Sequence, residues 1–291
     1  MGLRAGNVHA TLAIMIAPMG IRRLAVVFCA LMSAACTGRQ SGDPGVLRVG
    51  LDPTYPPFET RDSAGELTGV SVDLARAIGS RMGRRVEFIP MDFQGLLPAL
   101  QSSKIDAIIS SMTATPERAV QVAFSEPYAE NGLCLLVPVT STLTGIGDLD
   151  KPGATVVVRT GTTGHIFAVK NIHNAKVIPQ ELSEACANEV INGNVDAFLY
   201  DQLSVLEYAA RHPGKVKALA KPFQKEAWAV AVRKDDVVLL AGINAALRSF
   251  GADGPLATAF DKYPVLKERR AQLAAQGQPF IFLTQAGIAN P

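Results

Sequence analysis

From residue 47 onward, short apolar runs alternate with stretches patterned for helices, and this alternation constrains the fold class before any motif is read. The first cycle pairs 47–51 with 72–82, 86–89 with 94–102, and 105–110 with a helix opening at Thr115. A second cycle runs through 155–158, 164–170, 176–178, 182–192, 197–200 and 202–210. Strand followed by helix, repeated, is the rhythm of an α/β protein built on parallel strands. In the first helix Leu74, Ile78 and Met82 recur at four-residue spacing, with Ser71 as its expected cap and Gly83 as its stop. Between the cycles lies the continuous apolar run 133–138, and after the second cycle the similar run 216–219. Two such strands crossing between two α/β units make a hinge. The run 228–232 and the helix 237–250 are then free to return to the first unit. The predicted division is one lobe of 46–130 with 224–275, a second lobe of 131–223, and a tail, 276–291, of unassigned structure.

A chain of 291 residues at 48% hydrophobic content buries a substantial core. The formal charge is +2, but Arg4, Arg22 and Arg23 have no acid among the first 35 residues, so the remainder is near neutral. Without a basic excess there is nothing to release counterions from a phosphate backbone, and nucleic acid is excluded as a partner.

Arg22 and Arg23 precede the apolar stretch 24–35, which ends in Ser33-Ala34-Ala35 before Cys36. This is the pattern of a signal peptide. At about 1.5 Å per residue the stretch would reach roughly 18 Å, short of a bilayer core of about 30 Å. Ser-Ala-Ala-Cys resembles a bacterial lipobox, with Ser33 where that motif usually carries Leu, and it marks Cys36 for acylation. Residues 37–45 are small and polar, as in a tether. Such a chain is exported and held at the membrane by a lipid. Cys134 and Cys186 then remain in an oxidising compartment, and both are expected to be buried thiols rather than a disulfide.

The loop 52–58, Asp-Pro-Thr-Tyr-Pro-Pro-Phe, leaves the carboxyl end of the first strand, the edge where open α/β sheets bind ligands. Three prolines stiffen it. Tyr55 can stack on a ligand or pack, Phe58 is expected in the core, and Phe93 follows another strand. In 110–118, Ser-Ser-Met-Thr-Ala-Thr-Pro-Glu-Arg, Thr115 and Pro116 read as cap and first helical position. Arg118 falls in the first turn, where its charge opposes the helix dipole, so another interaction must account for it. A planar guanidinium beside hydroxyls and free amides suits a carboxylate; a surface pair with Glu117 or Glu126 is the alternative. The loop 159–164, Arg-Thr-Gly-Thr-Thr-Gly, lies between a strand and a helix and also favours an anion, without Walker or Rossmann spacing. Asp201 ends a strand and opens a helix, so capping is its ordinary role, while facing a cleft it would bind an ammonium group. His165, His173 and His212 lack metal-ligand spacing, no cofactor is implied, and no Gly-x-Ser-x-Gly elbow is present.

These segments, together with Pro57-Phe58-Glu59, the stretch 69–74, Leu97-Pro98-Ala99-Leu100, the stretch 124–128 and Val195-Asp196-Ala197, resemble the bacterial solute-binding proteins of family 3. The likeness runs in order over roughly 46–263. It implies a type II periplasmic-binding-protein fold, two α/β lobes on two hinge strands, in a monomeric receptor that delivers an amino acid to the permease of an ABC importer. It places the carboxylate clamp on Arg118, Ser111, Thr113 and Thr163, the ammonium ligand on Asp201, and the stacking aromatics on Tyr55 and Phe93. Asp52 matches the position facing the ligand side chain in receptors similar to the lysine, arginine, ornithine and histidine group. Ser110-Ser111 resembles that group too, so a polar or cationic amino acid is expected. The alternative is an exported cyclohexadienyl dehydratase on the same scaffold, for which His165 or Glu59 would be the nearest proton donor.

Overall fold

The apolar run at the start of the first cycle becomes β1 (Val46–Leu51) in the computed structural model, which describes residues 45–250 and 254–275. A small hairpin, β2 (Thr60–Arg61) and β3 (Leu67–Thr68), leads into α1 (Val70–Arg81) and β4 (Arg85–Pro90). A single 3-10 turn then enters α2 (Leu96–Gln101), followed by β5 (Ala107–Ile108), α3 (Pro116–Ala119) and the long β6 (Ala123–Pro138). The second cycle is β7 (Thr155–Arg159), α4 (Thr163–Asn171), β8 (Lys176–Gln180), α5 (Ser183–Ile191), β9 (Ala197–Asp201) and α6 (Gln202–Arg211). β10 (Val216–Val232) returns, and α7 (Val237–Phe250), α8 (Pro255–Asp261) and α9 (Pro264–Ala275) close the described chain.

The strands pair in the order β4-β1-β5-β10-β6-β9-β7-β8. β1 runs parallel to β4 and β5, and β7 runs parallel to β8 and β9. Between these parallel blocks, β6 and β10 pair antiparallel from Val216 opposite Pro138 to Val232 opposite Ala123, so both strands serve both lobes. The registers slip between Leu219 and Gln224 and again around Ala229, and such irregularities bend a long strand pair. From Leu133 to Val137, β6 is buried on both faces. Leu133, Leu135 and Val137 pack with Val156, Val158 and Leu199, while Cys134 and Leu136 belong to the core that includes Phe198 and Trp228. That two-sided burial is why the run 133–138 is continuously apolar.

α1 buries Val72, Leu74, Ala75 and Ile78, each large side chain contributing about 1.5–3 kcal/mol by leaving water. Its start corrects the sequence reading. Gly69, not Ser71, is the N-cap; it has φ 125°, and a Cβ there would lie 2.2 Å from the Phe58 carbonyl oxygen, so only glycine fits. Ser71 is buried inside the first turn. The runs 216–219 and 228–232 prove to be one strand, and β6 begins ten residues before the predicted 133 because it spans both lobes. The run 105–110 contributes only Ala107–Ile108 to the sheet, since Ser110 and Ser111 turn away into a cavity. α7 and α8 pack on α1. Cys134 and Cys186 are both buried thiols. The signal segment, Cys36, the tether through residue 44 and the tail 276–291 lie outside the described residues. Among the described residues, no helix is long and apolar enough to cross a membrane.

Candidate functional site

The loops that follow β1, β4, β5, β7 and β9 leave the carboxyl ends of parallel strands and converge, the arrangement in which open α/β sheets hold ligands. They line one cavity with Asp52, Tyr55, Glu59, Phe93, Ser110, Ser111, Thr113, Arg118, Arg159, Thr162, Thr163, Tyr200 and Asp201. All nine residues singled out from the sequence are among them.

Arg118 reaches the cavity because α3 is a single capped turn. Thr115 Oγ1 accepts from the Arg118 backbone N–H at 3.2 Å, and Pro116 presets the first position. The guanidinium donates to the Thr113 carbonyl at 2.8 Å and, across the cleft, to the Gly161 carbonyl at 3.2 Å. It is buried and forms no salt bridge among the described residues; Glu126 pairs with Arg248 instead. Burial lowers its pKa, against the pull of Glu226 and Asp201. Opposite it stands Asp201. The side chain makes no cap bond to α6, contrary to the ordinary expectation; it accepts from Tyr55 Oη at 2.9 Å and Asn131 Nδ2 at 2.7 Å. Burial, and then the nearby charge of Glu226, push its pKa upward.

Tyr55 lies in an aromatic cluster, stacked on Phe58 at 5.4 Å and edge-on to Tyr200 at 5.7 Å and Trp228 at 6.0 Å. Packing therefore takes much of its ring. Phe93 has the Arg118 guanidinium 5.5 Å and the Arg159 guanidinium 5.8 Å from its ring centroid, within cation–π range. Ser111 is held at φ 48°, a strained conformation for a non-glycine residue. Its hydroxyl donates to Glu59 at 3.1 Å, and Ser110 donates to the same carboxyl at 3.4 Å. Thr113 and Thr163, from opposite lobes, both donate to Glu226 Oε2 at 3.0 Å. The hydroxyls of Ser111, Thr113 and Thr163 thus sit at the cavity but are turned onto the chain's own carboxyl groups.

A sequence model of the bacterial extracellular solute-binding proteins, family 3, matches residues 47–265. The chain belongs to that family. It is 30% identical over 233 residues to the ABC transporter arginine-binding protein 1 of Escherichia coli (strain K12), covering 79% of this chain and 94% of that one. A lysine-complexed ABC transporter binding component from Wolinella succinogenes superposes with TM-score 0.72 at 33% identity, over 76% of this chain and 96% of that one. An ancestral amino-acid-binding protein, a precursor of cyclohexadienyl dehydratase, superposes with TM-score 0.70 at 34% identity, over 81% and 99%. The fold is the two-lobed type II periplasmic-binding-protein fold, and this family-3 protein is extracytoplasmic.

The site of this solute-binding protein also contains residues that the sequence reading missed. Arg159 ends β7 and forms a buried salt bridge with Asp52 of the other lobe. It also donates to Thr54 Oγ1 at 3.1 Å, Tyr200 Oη at 3.3 Å and the Glu181 carbonyl at 3.1 Å. Burial works against its charge, but Tyr200 and Asp52 hold its pKa above the usual value. A cation closing the buried apolar strand Val156-Val157-Val158, at the ligand edge of the sheet, was the available signal. Glu226 had none, because only the pairing of β10 with β6 brings it between Thr113 and Thr163. Glu59, weighed only as a proton donor, is a wall residue whose pKa burial pushes up to about 8. Tyr200 is the next-to-last residue of β9, and Thr162 caps α4, accepting from the His165 N–H at 3.4 Å. His165 itself accepts from the Gly161 N–H at 3.2 Å. Among the described residues, no group of histidine, cysteine and acidic side chains is arranged to hold a metal ion.

Proposed function

We propose that this chain captures a free α-amino acid outside the cytoplasm and hands it to the permease of an ABC importer. The ligand lies between a lobe of residues 46–130 with 224–275 and a lobe of residues 131–223. One observation carries the reading: Arg118 and Asp201, opposite charges from opposite lobes, face a single cavity. A guanidinium offers parallel N–H donors to an α-carboxylate, and a carboxylate oriented by Tyr55 and Asn131 suits an α-ammonium. Hydroxyl hydrogens rotate freely, so Ser111, Thr113 and Thr163 turn from Glu59 and Glu226 to the ligand carboxylate when it enters. Ser110 supports the same wall, Phe93 and Tyr55 border the ligand, and Asp52 stands beside its side chain. The amino-acid-binding relatives support the same ligand class. Because the ligand contacts both lobes, it favours the closed state over the open one.

A thermal-shift screen of the twenty common amino acids with ornithine and citrulline is expected to give at least one strong response. Ligand at about 100 times Kd adds about 2.7 kcal/mol, a rise of several degrees in Tm for a body of this size. The dehydratase reading has one observation in its favour, since Glu59, with a pKa near 8, is mostly a neutral acid at pH 7 inside the cavity. Ser110 and Ser111 tie that acid into the wall, and prephenate incubated with the protein is expected to stay unconverted. Release of phenylpyruvate without any amino-acid response would assign an enzyme instead.

The N-terminal pattern supports export and acylation of Cys36, with the monomer tethered to the membrane through 37–45. Labelled palmitate supplied to expressing cells is expected to enter the wild-type protein and not Cys36→Ser. Labelling of that variant would place the acyl group elsewhere.

A further inference from the structure

Beside Arg118 and Asp201, the cavity contains a second pair of opposite charges, Arg159 and Asp52, again one from each lobe. Both side chains are about 5% exposed or less. Asp52 is the residue that a cationic ligand side chain would need, and a guanidinium of the chain itself already occupies it. Asp52 Oδ2 accepts from Arg159 and from the Phe93 N–H at 3.1 Å, while among the described residues Oδ1 accepts only from Thr54, at 2.7 Å. Of the five N–H donors of a guanidinium, Arg159 directs one to Glu181, one to Tyr200 and two to Asp52 and Thr54, leaving one on Nη1. The pair therefore presents one spare acceptor next to one spare donor.

At the end of the cavity where the ligand side chain would lie, Asp52 and Arg159 neutralise one another, while Glu226 stands at the other end, beside Thr113, Thr163 and Arg118. A zwitterion with an uncharged side chain keeps that balance. A cationic or anionic side chain adds a buried charge without a counter-charge, which is strongly unfavourable. A purely apolar side chain leaves the spare donor and acceptor unanswered.

We infer that the ligand is an amino acid whose side chain ends in an uncharged planar carboxamide or ureido group, and that Arg159 is the residue that turns the site away from cationic side chains. The inference rests on the amino-acid reading above. The carbonyl oxygen of such a group accepts from Arg159 Nη1, and its NH2 donates to Asp52 Oδ1.

The test is isothermal titration of the full chain with glutamine, asparagine, citrulline, arginine, lysine, ornithine, glutamate and leucine. The tightest ligand is expected to be glutamine, asparagine or citrulline, by at least about tenfold over every other class. Equal or tighter binding of arginine, lysine, ornithine, glutamate or leucine would overturn the inference while leaving the receptor reading intact. Binding of none of the common amino acids would overturn both. Arg159→Met, checked for folding by circular dichroism, is expected to free Asp52, raising arginine affinity and lowering glutamine affinity by about tenfold each. If that variant does not fold, Asp52→Asn serves, since an unpaired Arg159 is expected to favour glutamate by a similar factor. A ligand order unchanged in the folded variant would also overturn the inference.

Discussion

Arg118→Ala is expected to raise the Kd for the amino acid by about a thousandfold or more, and Arg118→Lys by about a hundredfold, while the fold survives. A hydrogen bond to a charged group contributes about 1.5–3 kcal/mol, and a bidentate grip on a carboxylate makes two, so the loss reaches about 4 kcal/mol, or a factor of a thousand. Lysine keeps the charge but loses the fork, which is why it restores only part of the affinity. The same guanidinium bridges the lobes through the Gly161 carbonyl, so its removal also weakens the closed state that holds the ligand. Isothermal titration against the tightest ligand, with circular dichroism as the control for folding, checks the result. Wild-type affinity in a folded Arg118→Ala protein would remove the carboxylate clamp from this residue and with it the orientation of the ligand.

The second large effect concerns stability rather than affinity. Glu59 is buried beneath Ser110 and Ser111, and burial, opposed by the hydroxyls of Ser71 and Ser111, pushes its pKa up to about 8 from an ordinary 4.5. Between these values the native state keeps a proton that the unfolded chain has released. Stability therefore falls as pH rises from about 4.5 to about 8, and the contribution is fully present only below the lower value. Glu59→Gln keeps the shape and an acceptor for one serine but has nothing to titrate. Relative to wild type, it is expected to gain a few kcal/mol as pH is raised from 4.5 to 8.5, read from urea midpoints at each pH. Asp201, raised for the same reason, adds a slope of the same sign that persists in the variant, so the difference between the two proteins isolates Glu59. Parallel stability curves for the two proteins would show that Glu59 is already ionised in the folded state.

Regular elements were legible where a periodic pattern met a clear stop. α7 coincides with the stretch 237–250, and α6 and β9 each differ by one residue from the reading of the sequence. The start of α1 was missed because Gly69 and not a hydroxyl residue opens it, a choice imposed by the Phe58 carbonyl and not by any local pattern. β10 read as two fragments, since the polar stretch between its apolar ends pairs with β6 only at the crossing between lobes. In the site, Arg118 was legible from its own helix turn, where its charge opposes the dipole and so needs another explanation. Asp201 was legible as a residue but not in its role, because nothing local shows that Tyr55 and Asn131 take its two oxygens.

Alternating hydrophobicity, loop chemistry at strand ends and the ordered likeness to a family are local or collinear properties, and they determined the α/β class, the two cycles and nine candidate residues that the fold brings to one cavity. Which charges neutralise one another is not collinear. Asp52 and Arg159 are 107 positions apart and Thr163 and Glu226 are 63 apart, so their contacts exist only once β6 and β10 have brought two lobes face to face. Coulomb and desolvation energies depend on distance and on exclusion of water, and both are set by that closure. The tertiary structure therefore decided that Asp52 has an internal cation, that Glu59 holds its proton, and that Glu226 takes the hydroxyls of Thr113 and Thr163.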